Sequence, residues 1–201
     1  MSNFQNKDPI NAIAWFDPEL NNPKLSSIGI KPTGVHGKVT FQQETVCSPV
    51  RVNIDLSGLT PYKTRAIHIH ELGDIHQGCK SLGGHWNPTG HNHGQYLNLD
   101  GSLTHEESHA GDLINNIFPD DNGEFKYSYN DTRIQLFGNV TNSIIGKSVV
   151  IHDGIDDLGK GGLGPNGEII DPKVHEGSLT TGNAGGRMAC ALIGMAKNSS
   201  T

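Results

Sequence analysis

Residues 49–57 alternate strictly, with Val50, Val52, Ile54 and Leu56 apolar and Arg51, Asn53 and Asp55 polar between them. Successive side chains of a β-strand point to opposite faces, so this run can bury one face and wet the other. Similar short runs occur at Ile10–Phe16, 35–42, 65–71, 124–129, 132–137, Ser148–His152 and 189–194. With 26 Gly and 10 Pro supplying the turns, the pattern predicts an all-β, eight-stranded antiparallel sandwich or barrel. No stretch reads as a long amphipathic helix, and no repeat or linker is visible. The 201 residues fit one domain, expected over 10–197, with a flexible N-terminal tail at 1–9 and a C-terminal tail at 198–201.

A net charge of −6 argues against a general nucleic-acid or anionic-membrane surface. Residues 1–12 are polar and lack an apolar core, so no secretory signal is expected and the expected location is cytoplasmic. No apolar run is long enough to span a bilayer. The sequons at Asn130, Asn139 and Asn198 carry little weight without a secretion route. Three cysteines, Cys47, Cys79 and Cys190, read on spacing alone as free thiols.

Two loops are long. Residues 73–119 hold most of the histidines, and 153–183 are rich in Gly and Pro; long loops in a compact domain are usually functional. A further insertion at 17–34 carries no obvious chemistry. His68 and His70 form a His-x-His pair in the run 65–71 and would share one strand face, about 7 Å apart at the backbone. With His85, His93, His109, Asp112 and His152 they form a candidate two-metal set. Neutral imidazole suits copper and zinc, while a carboxylate favours zinc, so one all-nitrogen site and one mixed site are expected. His36, His76, His91, His105 and His175 read as bystanders. Spacing alone leaves His91 against His93, and His105 against His109, open.

Five segments resemble the copper/zinc superoxide dismutase family. They are His68-Ile-His-Glu-Leu-Gly-Asp74; Gly84-His-Trp-Asn-Pro88 with His93-Gly94; His109-Ala-Gly-Asp-Leu113; His152-Asp-Gly-Ile-Asp-Asp-Leu-Gly-Lys-Gly-Gly162; and Thr181-Gly-Asn-Ala-Gly-Gly-Arg-Met-Ala-Cys190. The resemblance implies a Greek-key, immunoglobulin-like barrel that converts superoxide to oxygen and hydrogen peroxide by alternate reduction and oxidation of copper, protecting against oxidative stress. It implies copper on His68, His70, His85 and His152, and zinc on His85, His93, His109 and Asp112. His85 would bridge the two as an imidazolate, made accessible near neutral pH by the joint charge of two cations, and would carry a proton in the reaction. The family's spacing selects His93 over His91 and His109 over His105. Asp156 resembles the carboxylate that orients one copper ligand and one zinc ligand together. Arg187 resembles the guanidinium that docks the anion. Cys79 and Cys190 match the family's intrasubunit disulfide, leaving Cys47 as a structural thiol.

A dismutase-like docking domain of a copper chaperone would lack part of the copper set and carry a Cys-x-x-Cys pair. This chain has all four copper ligands and no such pair. A structural or metal-storing relative would have little use for Arg187. The stretches between His93 and His109 and over 163–180 are longer than in the common enzyme, and Asp153-Gly154 stands where many relatives place a Lys. Glu168, Asp171 and Glu176 outnumber Lys173 in the second insertion, which predicts weak electrostatic steering. Partners implied by the resemblance are superoxide, a second copy of the chain through Gly73, Ile145-Gly146 and Ile193-Gly194-Met195, and a copper chaperone.

Overall fold

The computed structural model describes residues 8–17, 34–98, 102, 104, 107–138 and 142–197. The strands are β1 Ile10–Phe16, β2 His36–Gln43, β3 Val50–Ser57, β4 Arg65–His70, β5 His76–Cys79, β6 Asn116–Ile117, β7 Phe125–Asp131, β8 Ser148–His152 and β9 Arg187–Met195. Eight of them form a sheet in the order β6-β4-β8-β9-β1-β2-β3-β7, and every strand pairing is antiparallel. The chain leaves β3 near one end of this order and enters β4 near the other, the crossover of a Greek key. The sheet curls into a nearly closed barrel.

The alternation in β3 is realised: Val50, Val52, Ile54 and Leu56 are buried and Arg51 and Asp55 are exposed. They pack with Phe16, Phe41, Ile67, Ile69, Val149 and Ile151 in one core. β4 and β8 are buried along their whole length. Their outer faces are covered by the long loops, so His68, His70 and His152 sit on dry strands while Ile67, Ile69 and Ile151 face the core.

Two expectations are corrected. Residues 132–137 form no strand. Ile134 and Leu136 are buried on alternate positions as the pattern predicts, but the backbone is satisfied elsewhere. Gln43 Oε1 accepts the N–H groups of Leu136 (2.7 Å) and Phe137 (3.3 Å), and Asp131 Oδ1 accepts that of Arg133 (2.8 Å). The eighth strand of the sheet is the short β6. The second correction is a helix, α1, at Pro172–Thr181 inside the loop 153–183. Asp171 caps it through Lys173 N and Val174 N, Pro172 opens it, and Gly182 closes it at φ 62°. Only Ser178 of α1 is fully buried, so the helix has no apolar stripe to betray it in the sequence.

Cys79 and Cys190 form a disulfide with Cα atoms 5.8 Å apart. Cys47 is free and exposed in the β2–β3 turn, so it plays no part in packing. Most of the insertion 17–34, both expected tails apart from Asp8 and Pro9, and His105 lie outside the described residues.

Candidate metal centre

Strand pairing puts the first cluster together. β4 pairs with β8 so that His68 faces Val150 and His70 faces Ser148, which leaves His152 at the end of β8 beside both. His85 is drawn in by an antiparallel bridge between His70 and His85. One ring nitrogen of each of His68, His70, His85 and His152 lies within 4.8 Å of the others, and all four residues are buried.

In each ring the protein engages one nitrogen and leaves the other. His68 Nε2 lies 2.7 Å from Asp156 Oδ2, and its Nδ1 has no hydrogen-bond partner among the described residues. His70 Nδ1 donates to the Gly83 carbonyl at 3.0 Å, and His152 Nδ1 approaches the Gly185 carbonyl at 3.4 Å. Their Nε2 atoms face one another at 3.3 Å. His85 Nδ1 lies 3.1 Å from Asp112 Oδ1, while its buried Nε2 has no partner among the described residues.

The second cluster converges on Asp112. Its Oδ1 lies 3.1 Å from His85 Nδ1, 2.9 Å from His93 Nδ1 and 3.3 Å from His109 Nδ1. Its Oδ2 accepts the backbone N–H groups of His109 (3.1 Å) and Gly94 (3.3 Å). A single 3-10 turn, Ala110–Asp112, presents Asp112 to the three rings. Gly111 is required there, since a Cβ at this position would stand 2.5 Å from the Ile69 carbonyl and 2.9 Å from that of Trp86. His68, His85, His93 and Asp112 also meet within 4.8 Å, because His68 stands at the seam between the clusters.

Asp156 spans that seam. Its Oδ2 holds His68 and its Oδ1 holds His93 Nε2 at 2.8 Å. Asn115 Nδ2 donates to Oδ2 at 3.0 Å, the Leu158 N–H donates to Oδ1 at 2.7 Å, and Asn116 fixes the Asp156 backbone on both sides. Asn115 and Asn116 escaped the sequence reading, where the only signal was their place just after Asp112-Leu113. Gly182 closes α1 against this group: a Cβ there would collide with Asp156 and His93. The His93 N–H donates to the Leu179 carbonyl of α1 at 2.8 Å, so the helix braces the seam.

The electrostatics separate the rings. Burial pushes His68 down to about 3, His70 to about 2 and His152 to about 4, with His85 adding repulsion in each case. Burial likewise lowers His85. These rings are held neutral, the form a metal binds. Burial also opposes a charge on His93, but hydrogen bonds to Asp112 and Asp156 overcome it and carry His93 up to about 10. Burial would raise Asp112, yet bonds with His109, His85 and His93 hold it well below the usual carboxylate range.

Arg187 opens β9 beside His70 and His152. Its Nη1 donates to the carbonyls of Cys79 (2.7 Å) and Lys80 (3.4 Å), and its Nη2 donates to that of Gly83. Gly83 O therefore serves both His70 and Arg187. The four expected bystanders among the described residues stay apart from both clusters. His91 meets Glu107 at the surface at 3.3 Å, His76 meets Asp74 at 2.7 Å, and His36 and His175 donate to nearby carbonyls.

Two buried ring nitrogens with no hydrogen-bond partner among the described residues, His68 Nδ1 and His85 Nε2, fit metal coordination, because an orphaned buried polar atom is otherwise costly. Fold and site together define an antiparallel Greek-key barrel that carries two adjoining clusters able to hold metal, one all nitrogen and one nitrogen–carboxylate. The profile of the copper/zinc superoxide dismutase (SODC) family matches residues 35–193. The chain is 44% identical to a Cu-Zn superoxide dismutase of Yarrowia lipolytica over 161 residues, covering 80% of this chain and 90% of that protein. It is 42% identical to that of Saccharomyces cerevisiae over 162 residues (81% and 91%), and 42% identical to that of Paramecium bursaria Chlorella virus 1 over 173 residues (86% and 80%). The chain belongs to the copper/zinc superoxide dismutase family. It is an oxidoreductase that acts on superoxide, and copper and zinc are its cofactors.

Proposed function

We propose that His68, His70, His85 and His152 hold copper, that His85, His93, His109 and Asp112 hold zinc, and that His85 is shared. The observation that carries this reading is the divided His85 ring, with Nδ1 at Asp112 and a buried, unpartnered Nε2 at the other cluster. Bound copper supplies a one-electron couple, and zinc supplies fixed charge that lets His85 give up its second ring proton.

The chain's own residues do the rest. Arg187 docks superoxide through N–H groups left over from its three carbonyl contacts, and those contacts orient it before the anion arrives. His85 would take a proton at Nε2 and give it to the reduced oxygen species, which takes its second proton from solvent and leaves as hydrogen peroxide. Asp156 holds His68 and His93 at fixed orientation, so the two sites keep their relative placement. Glu168, Asp171 and Glu176 in the insertion 163–180 add negative charge that would weaken attraction of the anion over distance.

The folded unit is proposed to span 10–197 and to act in the cytoplasm, taking its copper from a chaperone. Among the described residues no helix is long and apolar enough to cross a membrane. A homodimer is proposed through Gly73, Ile145, Gly146, Gly194 and Met195; Ile193, expected on the same face, points into the core instead and is buried within the chain. Gly73 abuts Gly146 and Leu192, and Leu72, Leu192 and Met195 leave apolar surface exposed beside it.

His85→Ala tests the bridge. Metal analysis should find the zinc site weakened and dismutation largely lost. Full copper and zinc with wild-type activity in that variant would remove the assignment.

A further inference from the structure

Asp131 and Arg133 belong to neither cluster, and the sequence reading used neither. Asp131 ends β7, and the Arg133 guanidinium is met from several sides. Arg133 Nε and Nη2 donate to Asp131 Oδ1 (3.3 Å) and Oδ2 (2.9 Å). Nη1 donates to Ser108 Oγ and to the His109 carbonyl, both at 3.0 Å, and Nη2 donates to the Leu113 carbonyl at 3.1 Å. The Arg133 Cζ stands 3.9 Å from the centre of the Tyr96 ring, and Tyr96 Oη meets Thr132 Oγ1 at 3.0 Å. The Asp131 and Arg133 side chains are 0% and 13% exposed, so water competes little for these bonds.

The partners share a feature. Ser108, His109 and Leu113 flank the turn Ala110–Asp112, and Tyr96 lies on the loop between His93 and His109. All of them belong to the His93–His109–Asp112 side, and none is a residue of β4 or β8.

We infer that Arg133, held in place by Asp131, is a positioning residue that sets zinc retention selectively. The inference rests on the zinc assignment proposed above. Its planar fork fixes the carbonyls on either side of the turn, and thereby the direction of His109 Nδ1 and Asp112 Oδ1. A lysine would keep the charge beside Asp131 but could not span the His109 and Leu113 carbonyls together.

The test uses the copper- and zinc-loaded protein, with Arg133→Lys, the double variant Asp131→Asn/Arg133→Met, and Asp112→Asn as a reference. Release of each metal to a chelator is timed, and cobalt(II) placed in the zinc site reports its geometry by visible absorption. Both Arg133 variants should release zinc about tenfold faster than wild type, with copper release changed by less than about twofold and cobalt bands shifted. Equal acceleration for both metals would reduce the pair to a general structural role and overturn the inference. So would unchanged zinc release in the folded Arg133 variants while Asp112→Asn loses zinc. If Asp112→Asn retains zinc like wild type, the zinc assignment itself fails and takes the clamp with it.

Discussion

Arg187 Nη1 donates to the carbonyl oxygen of Cys79 at 2.7 Å, and Cys79 is disulfide-bonded to Cys190, three residues beyond Arg187 on β9. The disulfide thus fixes the loop carbonyls on which the guanidinium rests. It also closes 111 residues of chain, worth about 4 to 5 kcal/mol in the loop-entropy account. Cys79→Ser should therefore lower thermal stability, and the metal-loaded variant should lose second-order rate while copper stays bound. Alkylation without reductant should mark Cys47 alone. Mapping Cys47 into a cross-link with Cys79 or Cys190 would contradict this arrangement.

Substitution of Arg187 separates docking from metal binding. Arg187→Ala should keep both metals and lower the second-order rate, by roughly tenfold or more if paired charge-assisted bonds are lost. Arg187→Lys should fall between. Because the insertion 163–180 is acidic, the wild-type rate should decline only mildly from low to physiological salt. A steep decline abolished by Lys160→Ala or Lys173→Ala would show that one of these exposed lysines supplies the steering.

Gly111→Ala drives a methyl against the Ile69 and Trp86 carbonyls, which belong to the strand and loop carrying His70 and His85. Overpacking of this kind costs about 1 to 3 kcal/mol. Denaturant unfolding should show that loss, together with a lower zinc content. Wild-type stability and zinc content would mean that the turn shifts freely.

Removal of metal exposes the cost of burying neutral imidazoles. His68, His70 and His152 have values lowered to about 3, 2 and 4 from 6.5, so below pH 6.5 the unfolded chain binds protons that the folded chain refuses. Their contribution is whole above pH 6.5 and is lost as pH falls through about 4 for His152, 3 for His68 and 2 for His70. His93, raised to about 10, has the opposite sign: its contribution is whole below 6.5 and is lost as pH rises through 10. Melting midpoints of the metal-free protein should drop between pH 7 and pH 5. A flat profile would contradict the burial account.

Legibility followed the range of the interactions. The period-two pattern of β3 reads directly because burial of Val50, Val52, Ile54 and Leu56 is a property of local geometry. The same pattern misled at 132–137: Ile134 and Leu136 are buried, but distant Gln43 takes the backbone bonds a neighbouring strand would have taken. α1 carried its caps openly in Asp171-Pro172 and Gly182, yet it had no apolar face to be recognised by. The clustered histidines were legible as motifs. Their pairing with Asp156 was suggested only by resemblance, and the Arg133 contacts to His109 and Leu113 were not read at all, because both join residues far apart in sequence and leave no local trace. The disulfide was suggested only by resemblance.

The central claim is that this chain dismutes superoxide at the copper cluster on β4 and β8. The decay of superoxide should be followed with protein carrying about one copper and one zinc per chain, and with His152→Ala loaded in the same way. The wild-type protein should turn over catalytically, first order in superoxide and in protein, while His152→Ala keeps zinc and loses most of the rate and much of its copper. No catalysis by the fully loaded wild type, or an undiminished rate in His152→Ala, would contradict the account.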